Sequence, residues 1–425
     1  MKRKVVLILA IVCLVSLLII PGLTGCTKRE NVLKVLSVAE YIDPEQITAF
    51  EKYYKEITGE KITVKYQEVD TNELMYAKIA TKNSDYDILC PSDYMVERMH
   101  KENLLLDLAE DLGENVEDYR KNVSSFITDE NGLFASISSK YSCAYMWGTM
   151  GIVYNREKIP TSEISSQGWG SLWNSKYSGK IQMKDSVRDS YAAAALYTFK
   201  NTASAHYDAT MTIAQALNAT NDSQLEIVKK MLIAQSPYVY GYEVDTGKTD
   251  IVLGDSDLLL QWSGDAVYTL SEEHMDDCGK YPDLAYYVPE EGANVWCDYW
   301  VIPAYAGNKR AADLWINFMC SDEAAIANMD YIGYTSAIAS QATFDYATDY
   351  ADCMEEGVSI DEDRYTNVDL SYFFSTIEEA KTPVFTDIVQ FPSKDIVDRC
   401  AVMVDYGDKN ETIQNLWYAV KSNAQ

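Results

Sequence analysis

Residues 290–303, EEGANVWCDYWVIP, decide how the rest of the chain is read. Positions 295–302 are apolar apart from Asp298, the composition of a buried strand. Side chains on a strand alternate between faces. Trp296, Asp298 and Trp300 therefore share one face, and Val295, Cys297, Tyr299 and Val301 take the other. A carboxylate between two indoles is costly to bury without a partner. A ligand ammonium would serve, because aromatic faces also attract cations through the ring quadrupole. The strand thus reads either as half of an amine-binding box or as a strand end where Asp298 caps a turn or pairs with a core Arg.

Outward from this strand, the N-terminus carries its own signal. Lys2, Arg3 and Lys4 form a basic start, residues 5–20 are almost unbroken apolar sequence, and Leu23-Thr24-Gly25-Cys26 follows. That layout is an export signal rather than a stable membrane span. The Leu-x-Gly-Cys ending resembles the lipobox of bacterial lipoproteins. The resemblance implies a signal peptide over residues 1–25, cleavage before Cys26, and a lipidated Cys26 with a tether over 26–32. A plain signal peptide with a chance cysteine is the alternative. No later run approaches the roughly 18 apolar residues of a spanning helix.

The chain has 425 residues, enough after the signal for two domains of ordinary size. Without Lys2, Arg3 and Lys4, 33 basic residues face 65 acidic ones, a formal charge of −32. Such a surface repels nucleic acid and anionic lipid and draws cations. Acidity also keeps a surface protein soluble, so it identifies no site. Besides Cys13 and Cys26, the cysteines are Cys90, Cys143, Cys278, Cys297, Cys320, Cys353 and Cys400. They are scattered, mostly in apolar runs, with no CxxC, and read as small buried hydrophobes rather than a disulfide framework or metal site.

Strands and helices alternate through the first hundred residues. Residues 33–38 predict a strand, Asp43-Pro44 opens a helix that Gly59 ends, and 61–69 predict a strand. Asp70-Thr71-Asn72-Glu73 reads as a capping-box start. Residues 86–90 predict a strand that turns through Pro91-Ser92-Asp93-Tyr94 into a helix ending near Lys101. This alternation argues for parallel βαβ units, whose ligands bind at the carboxyl ends of strands. Tyr41 and the Ser92-Asp93-Tyr94 turn occupy such ends. Farther on, residues 145–155 predict a strand pair with close backbone approach at the glycines, and the first crossing between lobes. Residues 180–184 predict a strand, and Ser186 to Asp189 the start of an Ala-rich helix. Residues 250–262 predict a strand region, 308–319 and 321–331 helices, 340–390 loops with short helices, and 394–421 two helices.

No Gly-x-Ser-x-Gly, His-Glu-x-x-His, P-loop or Gly-x-Gly-x-x-Gly is present. His100, His206 and His274 each stand alone in polar context and read as surface residues. The acids of 253–257 lack the spacing of a calcium loop.

Several stretches together resemble the spermidine/putrescine-binding proteins of ABC importers. They are the lipobox, Glu40-Tyr41-Ile42-Asp43-Pro44, Asn72-Glu73-Leu74-Met75-Tyr76-Ala77-Lys78, and Tyr86-Asp87-Ile88 with Pro91-Ser92-Asp93-Tyr94. Trp147-Gly148, Trp169 with Leu172-Trp173, Asp185-Ser186-Val187-Arg188-Asp189, Trp262-Ser263-Gly264-Asp265-Ala266, Trp296-Cys297-Asp298 and Ile332-Gly333-Tyr334 continue the family's order. The resemblance implies an α/β, two-lobed periplasmic-binding-protein-like fold of type II, with a ligand cleft between lobes joined by hinge strands. Lobe 1 would be residues 33–147 plus about 300–335, and lobe 2 residues 148–299 plus about 336–425.

Carried over by position, Asp298 matches the carboxylate that holds an amino group, and Trp296 and Trp262 match aromatic walls. Tyr41, Ser92, Tyr94 and Tyr334 match cleft residues. Asp189 matches an acid for the ligand's second charged region, shortened from the usual Glu; by spacing alone it is equally the acid of a capping box begun by Ser186. Glu40, Asp93, Asp185 and Ser186 are further candidates. Val38-Ala39 stands where relatives often have Trp-Thr, so one aromatic wall is missing. A C-terminal Gln of some members falls near Met403, and 51–61 and 340–390 carry insertions.

The expected function is a lipid-anchored extracytoplasmic solute-binding protein that captures a polyamine and delivers it to ABC permease subunits. The resemblance implies no catalysis, cofactor, metal or nucleic-acid partner, and membrane attachment through the lipid on Cys26. Alternatives are a binder of another small cationic solute, an extracellular hydrolase using cleft carboxylates, and a scaffold lipoprotein with a vestigial cleft.

Overall fold

A computed structural model of the chain describes residues 31–81, 84–114, 116–349 and 361–423. The export signal, Cys26 and Cys353 lie outside the described residues. Strand β1 (Val32–Val38) leads into helix α1 (Glu45–Thr58). Asp43 Oδ1 accepts the Glu45 N–H at 2.9 Å, and Gly59 ends the helix at φ 75°, a conformation that costs a residue without Cβ little. After β2 (Thr63–Val69), α2 (Asn72–Ile79) is capped by Thr71, whose hydroxyl accepts the Leu74 N–H. The expected box starting at Asp70 is therefore displaced by one residue. Next come β3 (Ile88–Leu89), α3 (Asp93–Lys101) and β4 (Leu105–Leu106).

The long strand β5 (Ser142–Asn155) is continuous, not the expected strand pair. Its glycines do not make a turn. A Cβ on Gly148 would lie 2.4 Å from Ser263 Oγ and 2.9 Å from the Trp296 ring, and one on Gly151 would strike Tyr286. They are places where neighbours press against the strand.

Then follow β6 (Ile181–Lys184), α4 (Val187–Lys200), β7 (Val239–Glu243), α5 (Gly247–Leu253), β8 (Leu258–Trp262), α6 (Ser263–Thr269), β9 (Leu284–Tyr287) and β10 (Ala293–Pro303). The first four residues of the strand region expected over 250–262 are thus helix, and the strand itself is Leu258–Trp262. A short apolar run such as Ile251-Val252-Leu253 fits either period. Helices α7 (Lys309–Met319) and α8 (Asp322–Ile332) precede β11 (Thr335–Ser336). Within 340–390, a helix at Gln341–Thr348 is joined by a hairpin of β12 (Tyr365–Val368) and β13 (Val384–Asp387) that the sequence reading lacked. Helix α9 (Asn410–Asn423) closes the described chain and buries Ile413, Leu416, Trp417 and Val420, as its periodicity predicts.

The main sheet runs β2-β1-β3-β10-β5-β8-β6-β7. β1 pairs in parallel with β2 and β3, and β6 in parallel with β7 and β8. Between these parallel halves lie β5 and β10, antiparallel to each other. β5 pairs with β10 along its first half and with β8 and β9 along its second. The result is the mixed α/β, two-lobed architecture, with β5 and β10 common to both halves of the sheet.

β10 alternates as expected: Val295, Cys297, Tyr299 and Val301 enter one core, and Trp296 and Trp300 another. A register shift between Cys297 and Tyr299 sets Asp298 at an irregularity, where it bridges to Ser92. Trp300 is not the second wall beside Asp298. It is fully buried and packs against Tyr145 and Trp315, with ring centroids 4.8 and 5.7 Å away. Burying such a ring contributes roughly 2–3 kcal/mol to the fold.

The described cysteines are free thiols, five of them buried, with the Cys143 and Cys320 sulfurs 3.5 Å apart. His274, expected at the surface, is buried, its Nε2 lying 3.2 Å from the Lys248 carbonyl. Ser271 caps a short helix, Glu272–Cys278, by accepting the His274 N–H, and the ring turns inward to α5.

Candidate functional site

The carboxyl ends of both parallel halves open on one cavity of about 840 Å³, its mouth included. Val38, Tyr41 and Ser92 reach it from the ends of β1 and β3; Ser186, Asp245 and Trp262 from the ends of β6, β7 and β8. β10 contributes Asn294, Trp296 and Asp298, and Tyr334 stands just before β11. Tyr41, Ser92, Tyr94, Asp189, Trp262, Trp296, Asp298 and Tyr334 all line this cavity, as do Glu40, Asp93 and Ser186. Asp185 does not: it points away and accepts from Lys421 Nζ at 2.7 Å and Trp417 Nε1 at 3.0 Å. The strand alternation of β6 continues through Asp185 and turns it to the opposite side from the cavity.

Asp298 is buried and surrounded by donors. Tyr41 Oη donates to its Oδ2 at 2.5 Å, Trp296 Nε1 at 3.2 Å, and the Ser92 hydroxyl also hydrogen-bonds it. Ser92 is itself fixed by Asn72, whose Oδ1 accepts the Ser92 N–H and whose Nδ2 donates to Ser92 Oγ. Burial nevertheless pushes the Asp298 carboxyl up to about 6 against these donors, and the neighbouring Asp189 adds to the rise. Among the described residues no Lys, Arg or His forms an ion pair with it. The Tyr41 ring meets the Tyr334 ring edge-on at 4.9 Å, and Trp296 meets Tyr334 at 6.3 Å. Gly264 makes this box possible, since a Cβ there would lie 2.1 Å from the Tyr334 ring.

Asp189 repeats the pattern in a second place. It is buried, its carboxyl is raised by that burial, and Ser186 and Trp262 hydrogen-bond it. Ser186 also caps α4 by accepting the Asp189 N–H at 3.4 Å. Ser186 thus supplies the cap alone, without the reciprocal bond from the Asp189 side chain that a capping box needs, and the Asp189 carboxyl lines the cavity. Asp93 has a different place: its oxygens accept the backbone N–H groups of Tyr94 and Cys297, at 2.6 and 3.2 Å. It ties α3 to β10, and burial raises it to about 8.

Behind Trp262 lies a charge cluster that the sequence reading lacked. Lys184, wholly buried, places its ammonium 4.2 Å from the Trp262 ring, 3.2 Å from Asp265 and 3.4 Å from Glu243. Lys248 reaches Glu40 at 2.7 Å, Asp245 at 3.6 Å and Asp265 at 3.8 Å. Burial would push Asp265 up, but Lys248 and Lys184 outweigh it and hold the carboxyl below its usual range. Tyr334 Oη donates to the same Asp265 at 2.9 Å. Among the described residues, Asp265 is therefore occupied by protein cations, and Asp298 is not.

Arg188, Asp265 and Glu73 line or adjoin the site without having been singled out, although each lies inside a quoted motif. Sequence position marked them; nothing in their residue type distinguished them from solvated charges. Asn294 carried no signal beyond its place two residues before Trp296 on the alternating strand. Among the described residues no group of three or more His, Cys, Asp or Glu is placed to hold a metal ion.

Residues 45–353 match the family described as bacterial extracellular solute-binding protein. The chain is 27% identical over 305 residues to the spermidine/putrescine-binding periplasmic protein of Escherichia coli K12, covering 72% of this chain and 77% of that one. It is 24% identical over 314 residues to the putrescine-binding periplasmic protein SpuD of Pseudomonas aeruginosa, covering 73% and 79%. Among solved structures, a putative spermidine/putrescine ABC transporter from Listeria monocytogenes superposes with a TM-score of 0.69 at 27% identity, over 92% of this chain and 99% of that one.

Proposed function

We propose, from the premise that this chain belongs to the bacterial extracellular solute-binding protein family, that it captures a polyamine of the spermidine/putrescine class and passes it to an ABC transporter. The observation that carries this reading is Asp298. It is a buried carboxylate held by three donors, boxed by aromatic rings and, among the described residues, left without a protein cation. Leaving such a charge unpaired is costly, and a ligand ammonium supplies the missing partner. Aromatic faces of Trp296 and Tyr334 add to the attraction for a cation. Asp189 with Trp262 offers a second carboxylate and indole for the ligand's other charged region.

In this reading Tyr41, Ser92, Tyr94, Asp189, Trp262, Trp296, Asp298 and Tyr334 contact the ligand. Asp93 fixes the frame, and Glu40 rims the mouth. The lobes are residues 33–147 with about 300–335 and residues 148–299 with about 336–425, and ligand binding closes them about β5 and β10. The protein catalyses no reaction. It is held at the outer face of the cell membrane by lipid on Cys26. A binder of another small cationic solute is the second reading, favoured by Val38, which lines the cavity where relatives often carry Trp.

A thermal-shift panel tests the proposal. A ligand at about 100 times its Kd stabilises by about 2.7 kcal/mol. Spermidine or putrescine is expected to raise the melting temperature, while glucose and glutamate leave it unchanged. A shift with a neutral or anionic solute and none with any amine would contradict the proposal.

A further inference from the structure

Two cysteines far apart in the chain meet in one core. Cys143 stands near the start of β5, and Cys320 ends α7, 177 positions later. Their sulfurs lie 3.5 Å apart, and both residues are buried, at 6% and 1% exposure. They share the hydrophobic core that packs α7 against the sheet. Cys297, the neighbouring cysteine on β10, enters the other core. Among the described residues no other two cysteine sulfurs are in contact.

As thiols the two make a weak pair. A thiol is a poor donor and a poor acceptor, and here each sulfur has the other as its partner. The Cys143 contact and burial raise the Cys320 thiol well above its usual range, against the pull of the Arg120 guanidinium. The thiolate that disulfide exchange needs is therefore scarce at Cys320 once the core has closed. A disulfide carries no charge and asks for no hydrogen bond, so it suits this apolar place better than two thiols do. The sulfurs must close to about 2.05 Å, a shift that turning the side chains about their Cα–Cβ bonds supplies.

The compartment favours the bond. The family is extracellular, and disulfides form and persist outside the cytoplasm. We propose that Cys143 and Cys320 are joined by a disulfide in the exported protein, which fastens the end of α7 to β5. The bond forms as the chain folds, by exchange with a disulfide-bearing oxidant. The thiolate of one cysteine attacks the oxidant's S–S bond and releases one thiol, and the second cysteine then displaces the other. One S–S bond breaks as one forms, two electrons pass to the oxidant, and the two cysteine protons end on its two thiols. A cross-link over so long a loop restricts the unfolded chain strongly. Neither cysteine lines the ligand cavity, so the inference stands apart from the amine reading.

The test is peptide mapping of the mature chain recovered from the periplasm of a bacterial host, alkylated with N-ethylmaleimide in denaturant without reductant. Five of the seven cysteines after Cys26 should be labelled, with Cys143 and Cys320 in one cross-linked peptide. Reduction before alkylation should label all seven. Refolding the reduced chain with oxidised glutathione should restore the cross-linked peptide. The linked parent should melt several degrees above the reduced parent. Cys143→Ala and Cys320→Ala should lose that response to reductant. Linked and reduced parent share one sequence, so a variant that fails to fold leaves the test standing. Labelling of Cys143 and Cys320 in the exported chain, or after refolding with oxidised glutathione, overturns the inference. So does a link from either residue to another cysteine, or a link whose reduction leaves the melting temperature unchanged.

Discussion

Tyr41 Oη lies 2.5 Å from Asp298 Oδ2, joining two residues 257 positions apart in the chain. The contact ties the loop after β1 to the irregular point of β10, so the phenol and the carboxylate are positioned by different parts of the sheet. A hydroxyl donor to a carboxylate favours its charged form, yet burial still raises Asp298 to about 6. The site is thus electrostatically incomplete, and in the proposed reading a ligand ammonium completes it.

A pH dependence follows from that value. Above about 6 the Asp298 carboxyl is charged and pairs with an ammonium; below it the proton competes. Amine affinity should fall as the pH drops through about 6, by up to about tenfold per unit. Binding near that pH should release protons. The stability sign agrees: an acid raised from 3.8 weighs against the ligand-free fold as pH climbs past its unfolded value, so amine-induced stabilisation is largest above about 6. Calorimetry in buffers of different ionisation enthalpy measures both. Affinity that is flat between pH 5 and 7.5 would remove Asp298 from the charge balance.

Val38 tests the missing aromatic wall. Neither Tyr145 nor Tyr141 replaces it. Tyr145 donates to the Tyr41 carbonyl at 3.0 Å within the core, and Tyr141 stacks on His100 at 3.8 Å. Val38→Trp is expected to tighten putrescine by about 0.5–2 kcal/mol, the gain of a cation over an indole. Affinities of spermidine and putrescine that both stay unchanged would mean Val38 does not contact the ligand.

Lys184 acts as a resident cation. Removing one partner from a buried ion pair costs about 3–5 kcal/mol, because the other charge stays unpaired. Lys184→Met strands Glu243 and leaves Asp265 to Lys248 alone. Denaturant unfolding at neutral pH should show a loss of that order, shrinking in acid as the stranded carboxylates protonate. A stability equal to the parent's would contradict this account of the cluster.

The anchor is tested by Cys26→Ala. The basic start, apolar run and Leu-Thr-Gly-Cys box predict that the substitution blocks lipidation and frees the protein from the membrane or halts its processing. Fatty-acid labelling and cell fractionation read this out. Unchanged labelling and retention would contradict it.

Local pattern made much of this legible in the sequence. The alternation of residues 295–301 was readable because both faces of β10 are buried in separate cores. The parallel βαβ start was readable from strand and helix periods, and the cap of α4 from Ser186. What escaped depended on contacts between distant segments. β5 looked interrupted because the reasons for Gly148 and Gly151 are Ser263, Trp296 and Tyr286. Asp185 and Asp189 look alike in sequence, but the turn from β6 into α4 sets Asp185 away from the cavity, where it meets Trp417 and Lys421 from the distant C-terminal helix. Arg188 was passed over because an amine site gave no reason to look for a cation.

The polyamine reading stands on Asp298 holding a ligand ammonium. The most direct measurement is calorimetric titration of spermidine and putrescine into the parent chain and Asp298→Asn. The amide is nearly the same size and keeps the fold, and losing one side of a buried charge pair costs about 2–5 kcal/mol. Saturable amine binding is expected in the parent and a loss of that size in the variant, with unchanged unfolding of the ligand-free proteins. Equal amine affinity in the two, or no amine binding to the parent, would contradict it.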